Sequence, residues 1–284
     1  YYKWLHREIP EVEQENILLA QLIREYDDRF NHILGYRRMT LYINRLNNKH
    51  YSQNRVHRVM KVINIHSVIR RKRKKYQSSA PETTAENILD RNFYAKAPNE
   101  KWVTDVTEFK WYEGPAVHKL YLSAILDLYD LSPVSWVVSG RNDNKLVLDT
   151  FERAIRNNPD AKPIFHSDRG FQYTSKVFQK KLQAQGMQQS MSRVGRCIDN
   201  GPTENFWSIV KSEMYYLNHF TDETSLRKAI ANYISFYSTE RMQERFCGKT
   251  PAEVRAEALA TETPVQYPIP VNKRIQKYKS RYVA

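Results

Sequence analysis

The chain has 284 residues, a net charge of +14, 41% hydrophobic and 12% aromatic residues; that is apolar content enough for a packed core and length enough for two domains. No window approaches the ~20 apolar residues of a membrane span, and no signal-peptide pattern opens the chain. The two cysteines, Cys197 and Cys247, stand singly, which excludes a disulfide framework or a cysteine-paired zinc site and fits a reducing cytoplasm. Because it opens on Tyr1 rather than Met, the chain is expected to be a downstream part of a longer product.

The charge is uneven. Residues 1 to 80 hold 17 Lys or Arg against 7 Asp or Glu, a net of +10, and leave +4 for everything after them. A basic front on a nearly balanced body reads as a nucleic-acid-binding segment joined to something else. The arginine richness argues against a merely solvated surface, since a guanidinium grips phosphate in a fork.

In chain order, the apolar residues Ile17, Leu18, Leu22, Ile23 and Tyr26 recur at helical spacing from about Glu11 to Phe30. Gly35 breaks the pattern before a second helical run through Met39, Leu41, Tyr42, Ile43 and Leu46, which Asn47 and Asn48 end. Ser52 caps a third run carrying Val56, Val59, Met60 and Val62. Three short helices with a turn before the third form the pattern of a helix-turn-helix domain. Its third helix would present Asn54, Arg55, His57, Arg58 and Lys61 to phosphates and base edges.

The block Arg70, Arg71, Lys72, Arg73, Lys74, Lys75 follows, six cations in a row. It reads as a solvated phosphate-tracking arm. Residues 76–99 turn rich in Ser, Thr, Pro and Ala and are predicted to be a linker between a DNA-binding domain at 1–75 and a second domain at 100–259, with a C-terminal tail at 260–284.

From Lys101 the texture becomes that of strands, over Trp102 to Trp111, Val117 to Leu128 and Val134 to Ser139, with tight turns near Gly114 and at Leu131-Ser132-Pro133. A helix is predicted from Asn144 to Arg156, then a strand ending at Asp168, a helix from Ser175 to Gln185 and a strand from Met187 to Met191. Three strands in a meander, then alternating helix and strand, imply an α/β fold: a mixed sheet with flanking helices, in the order of a ribonuclease H-like fold.

Three acids stand where that fold can bring them together. Asp105 lies mid-strand on the same period-two face as Val103, Thr107 and Phe109, whereas Glu108 falls on the opposite face. Asp168 ends its strand just before Gly170. Glu204 sits in the first turn of a helix after Asp199-Asn200-Gly201-Pro202, where the helix dipole favours a carboxylate in any case. If the three converge, they form an all-oxygen pocket suited to Mg²⁺. Lys211 is seven residues past Glu204 and shares a helix face with it and with Trp207 or Ser208, so it can hold a phosphate beside the metal. His166, beside Asp168, reads as a structural or supporting residue rather than a ligand.

The motifs Asn99, Trp102-Val103-Thr104-Asp105-Val106-Thr107, Leu120 to Asp127, His166-Ser167-Asp168-Arg169-Gly170-Phe171-Gln172-Tyr173-Thr174, Asp199-Asn200-Gly201-Pro202-Thr203-Glu204-Asn205-Phe206, Lys211, Phe236-Tyr237, Arg241, Gln243 and Thr250-Pro251-Ala252-Glu253 together resemble a known family. From about Glu15 to Leu259 the chain resembles the second-frame product (OrfB) of bacterial insertion-sequence transposases made from two overlapping reading frames. Their catalytic segment is similar to retroviral integrases, the DDE superfamily. It departs from the family at Ser238, where Tyr-Asn is usual.

The resemblance implies metal-assisted phosphoryl transfer on DNA, both strand cleavage and strand transfer. Two Mg²⁺ ions, replaceable by Mn²⁺, would be held by Asp105, Asp168 and Glu204. It implies as partners double-stranded DNA (terminal repeats and target), further copies of the chain and the first-frame product, in the bacterial cytoplasm at the nucleoid. Two rival readings are a non-catalytic DNA-binding protein on the same scaffold and a structure-selective nuclease that hydrolyses without joining.

Overall fold

The computed structural model describes residue 7 and residues 9–69, 86–193 and 197–269. Its contacts divide the chain into two units, residues 1–74 and 75–284.

In the first unit the three amphipathic runs fold as helices α1 (Glu11–Arg29), α2 (Tyr36–Leu46) and α3 (Gln53–Val62). The punctuation acts as its chemistry dictates. Gly35 precedes α2, Asn47 closes it, and the Ser52 hydroxyl accepts the Arg55 amide at 3.2 Å to cap α3. Leu19, Ile23, Met39, Ile43, Val56 and Met60 meet in the core of this unit, each fully buried aliphatic side chain stabilising it by roughly 1.5–3 kcal/mol.

The second unit holds strands β1 (Lys101–Glu113), β2 (Ala116–Asp127) and β3 (Pro133–Ser139), then α4 (Asn144–Asn157), β4 (Ile164–Ser167), a single turn α5 (Phe171–Thr174), α6 (Lys176–Ala184) and β5 (Gln188–Met191). A 3₁₀ turn at Cys197–Asn200 leads into α7 (Gly201–Glu213), followed by α8 (Glu223–Thr239) and α9 (Pro251–Leu259). The sheet order is β3-β2-β1-β4-β5. β1 to β3 are an antiparallel meander, and β4 and β5 run parallel to β1. This is the mixed sheet of the ribonuclease H-like fold.

The period-two alternation of β1 decides which helices cover which face. Trp102 packs with Phe165 of β4, Val147 and Phe151 of α4 and Phe178 and Leu182 of α6. Val103 and Phe109 pack instead with Phe206, Trp207 and Val210 of α7, Ile230 and Tyr237 of α8 and Val254 of α9. Asp105 has the parity of Val103 and therefore lies on the α7 face.

Two stretches differ from their predicted roles. Residues 86–99, predicted as linker, lie against the second unit: the Met191 amide donates to the Glu86 carbonyl, the Leu89 amide to Ser190 Oγ, and Leu89 and Ala95 enter the core. Polar composition hid two apolar anchors. The described part of the predicted tail also packs, with Tyr267 buried in the same core and the Val265 carbonyl accepting Tyr129 Oη at 2.8 Å.

A buried charge cluster joins α9 to the sheet. Asp127 and Asp130 are inaccessible to solvent, and Arg255 reaches both, at 3.2 and 2.8 Å, while its other amine donates to Asn99 Oδ1 at 2.8 Å. Burial and the neighbouring Asp130 push Asp127 up to about 7, against the pull of the guanidinium. Removing the cation strands two buried carboxylates, so Arg255→Ala is expected to cost about 3–5 kcal/mol in chemical denaturation of the full chain. Wild-type stability in that variant would show the cluster idle.

Candidate active site

The parallel pairing of β1 with β4 sets the geometry. Val103 is in register with His166. Two residues further along each strand come Asp105 and Asp168, on neighbouring strands and with the same parity. This is the carboxyl end of the parallel pair, where α/β sheets open their ligand sites. Asp168 directly follows β4, and its Oδ1 accepts the Gly170 amide at 2.9 Å. A Cβ on Gly170 would come within 3.0 Å of that oxygen and 2.9 Å of Gln172 Oε1, so a larger residue here would push on both side chains.

Glu204 arrives from the other side, in the first turn of α7. Two bonds tie that helix to β1 at this point. Trp207 Nε1 donates to Asp105 Oδ2 at 3.0 Å, and Asn200 Nδ2 donates to the Thr104 carbonyl at 3.2 Å. Asn200 donates its Nδ2 to the strand, and its side chain does not cap the helix. Its Oδ1 is buried without a partner. Trp207 lies three residues past Glu204, on the helix face the sequence assigned to Glu204 and Lys211, which is the signal that could have found it.

The electrostatics follow from this crowding. Burial, the Asp168 carboxylate and, more weakly, Glu204 raise Asp105 to about 7, although the Val106 amide and the Trp207 indole favour its charged form. Asp168 is also raised by burial, against the Gly170 amide. Beneath them, on the other face, Tyr173 is fully buried with its hydroxyl 3.2 Å from Thr104 Oγ1. Burial and the two aspartates push that phenol well above its ordinary value. The donor set is all oxygen, burial raises both aspartates with Asp168 and Glu204 adding to the shift of Asp105, and the buried Asn200 Oδ1 at the start of α7 is unsatisfied. Such a set fits a hard divalent cation, whose charge would offset all three penalties.

The three acids do not close to a tight cage by themselves. Among the described residues, the group of His, Cys, Asp or Glu ligand atoms within 4.8 Å of one another is Asp27, Asp28 and His32 at the end of α1. There the His32 ring pairs with Asp27 at 2.6 Å, which raises the imidazole.

The remaining candidates fall as follows. Glu108 faces away and pairs with Lys119 at 2.9 Å. His166 is buried between Ser190 and Ser192, at 2.9 and 3.2 Å, and burial lowers it to about 4; it is a neutral structural residue. Lys211 is half-buried, its ammonium 5.5 Å from the centre of the Phe109 ring, and Phe109 lies four residues along β1 from Asp105 with the same parity. In the first unit Arg58 and Lys61 are exposed, whereas Arg55 turns back onto α1, bonding Asn16 Oδ1 at 3.0 Å and lying over the Tyr51 ring. Arg55 was expected on the presenting surface; it braces α3 against α1 instead. Arg70, Arg71, Lys72 and Arg73 lie outside the described residues.

Residues 95–197 and 204–268 match the integrase core domain family, and residues 13–73 match the HTH-like domain family. These matches define an integrase-core enzyme of DNA with a helix-turn-helix-like front, a class that binds DNA and uses a divalent metal. The protein assigned as the InsK transposase of insertion sequence element IS150 in Escherichia coli K12 is 39% identical over 224 residues, 78% of this chain and 77% of its own length. A transposase-like protein of Haemophilus influenzae is 40% identical over 66% of this chain and 86% of its own. The chain belongs to the family of insertion-sequence transposases, as an OrfB-type member with a DDE integrase core. Among solved structures, a simian T-cell lymphotropic virus intasome chain is 17% identical with a TM-score of 0.49, over 90% of this chain and 80% of that one. The HTLV-2 integrase catalytic core is 21% identical with a TM-score of 0.43, over 56% of this chain and 97% of that one. Among the described residues no helix is long and apolar enough to cross a membrane.

Proposed function

We propose that Asp105, Asp168 and Glu204 hold two Mg²⁺ ions, replaceable by Mn²⁺, and that the chain cuts DNA at the terminal repeats of its element and joins the freed 3′ ends to target DNA. The observation that carries this reading is the register of β1 on β4, which sets Asp105 beside Asp168, with α7 bonded to Asp105 through Trp207 and bringing Glu204 close enough to act on the Asp105 carboxyl. Bound there, the metal would supply charge stabilisation for an in-line displacement at phosphorus. The nucleophile is water in cleavage and a DNA 3′-hydroxyl in joining.

The chain's own residues do the rest. Trp207 and the Val106 amide each occupy one oxygen of Asp105 and fix its orientation, and the Gly170 amide does the same for Asp168. Lys211, on the same face of α7 as Glu204, receives a DNA phosphate. In the first unit Arg58 and Lys61 of α3 take phosphates or base edges, helped by the basic run Arg70 to Arg73. We further assign the helix-turn-helix-like domain with its basic arm to residues 1–75, the catalytic domain to 100–259 with residues 86–99 and 261–269 packed on it, and action at the nucleoid as an oligomer on DNA, with the first-frame product as a partner.

Incubating labelled element-end DNA with the full chain and Mg²⁺ tests this reading. Joined products longer than the substrate are expected beside the nicked strand, and nicking without joining would leave only a nuclease. Lys211 gives a second, sharper test. A single charge-assisted phosphate contact is worth about 1.5–3 kcal/mol, so Lys211→Ala should slow joining roughly ten- to a hundredfold while the Mg²⁺ dependence stays put. A joining rate equal to wild type would make Lys211 a solvating side chain on its helix.

A further inference from the structure

The turn before α7 carries a fully buried aspartate, Asp199, at a place where a helix cap would be ordinary. Asp199 caps nothing. Its carboxylate accepts Arg91 Nε at 2.6 Å, Arg193 Nε at 2.9 Å, the Arg193 amide at 3.0 Å and Asn87 Nδ2 at 3.1 Å. Burial pushes the group up, but the hydrogen bonds from Arg193 and Arg91 hold it well below the usual carboxylate range. The guanidinium groups of Arg193 and Arg91 thus favour the charged form of Asp199. Arg193 in turn reaches Asp90 at 3.2 Å.

These partners come from two separate segments. Arg193 stands two residues past β5, while Asn87, Asp90 and Arg91 belong to the stretch that runs beside β5 and enters the core through Leu89. Asp199 binds both to the 3₁₀ turn. The next residue is Asn200, whose amide is bonded to the Thr104 carbonyl beside Asp105, and Glu204 follows one helical turn later. The start of α7 is thus held at two consecutive residues, to the β5 side of the sheet by Asp199 and to β1 by Asn200.

We propose that Asp199 is a positioning residue for the reaction: pinned by Arg193 and Arg91, it fixes the start of α7 and so the approach of Glu204 to Asp105 and Asp168. The inference rests on the reading of those three acids as the metal site. Asp199 touches neither metal nor DNA; it acts through the helix. Groups that orient a metal ligand commonly change affinity ten- to a hundredfold when removed.

Mn²⁺ binding to the full chain without DNA, followed by water-proton relaxation, tests it alongside the melting temperature and the metal dependence of joining. Asp199→Asn keeps the shape and removes the charge that holds both guanidinium groups. Its Mn²⁺ midpoint should rise about tenfold, and saturating metal should restore most of the joining rate. Arg91→Ala, on a half-exposed partner, should shift the midpoint the same way by less, and should add little on top of Asp199→Asn because both break one latch. A lower melting temperature with an unchanged Mn²⁺ midpoint in either variant would reduce Asp199 to a fold-holding residue and overturn the inference. If Asp199→Asn does not fold, Arg91→Ala alone decides, and an unchanged midpoint there overturns it equally. Failure of the site reading looks different: Glu204→Gln would then bind Mn²⁺ like wild type, whatever Asp199 does.

Discussion

Asp105→Asn, Asp168→Asn and Glu204→Gln are each expected to lower both strand cleavage and joining by more than about a hundredfold, beyond the range for groups that merely orient a ligand. The loss should be chemical rather than structural, and Asp105 shows why. Its carboxyl is raised to about 7 by burial and by Asp168 and Glu204. An acid whose pKa is higher folded than unfolded stabilises the fold only while protonated. That contribution is present below the ordinary carboxylate value and is lost as pH rises toward 7. Replacing Asp105 by Asn removes the loss, so the metal-free variant should melt no lower than wild type at pH 8, with the comparison shifting toward wild type at pH 4. Near-wild-type joining in any one of the three variants removes that residue from the site.

Deleting residues 1–80 should have the largest effect on DNA binding. That segment carries +10 of the +14 net charge, and the linear dependence of log affinity on log salt scales with the phosphates neutralised. The truncated chain should bind DNA at least about a hundredfold more weakly at low salt, with a slope reduced by several units. It should still fold, because the cut spares residues 86–99, which Leu89 and Ala95 anchor in the second core. Fluorescence anisotropy across a salt series checks this. An unchanged slope would give the basic front another purpose.

Much of this was legible in the chain. The period-two faces of Trp102 to Trp111 put Asp105 and Glu108 on opposite sides from spacing alone, and Ser52 and Gly35 mark helix starts that the structure keeps. What the sequence hid were long-range partners. Nothing local to Arg255 announces Asp127 and Asp130, 128 and 125 residues away. Asp199 sits where an N-cap is common, and nothing local announces its ion pairs with Arg91 and Arg193. Arg55 looked like one more cation on a DNA-facing helix, although spacing alone cannot tell a presenting side from one that packs on Asn16 and Tyr51. Residues 86–99 show a simpler effect: two buried apolar side chains, Leu89 and Ala95, suffice to dock a stretch whose composition is that of a linker.

The claim on which the rest depends is that Asp105, Asp168 and Glu204 form one metal site. Titrating Mn²⁺ into the full chain and into Asp105→Asn, Asp168→Asn, Glu204→Gln and the control Glu108→Gln tests it most directly. Glu108 is paired with Lys119 on the far side of the strand. Wild type and Glu108→Gln should bind with the same midpoint, and each of the other three should bind far more weakly. Wild-type binding by Glu204→Gln, or an equal loss in Glu108→Gln, would contradict a site built from these three acids.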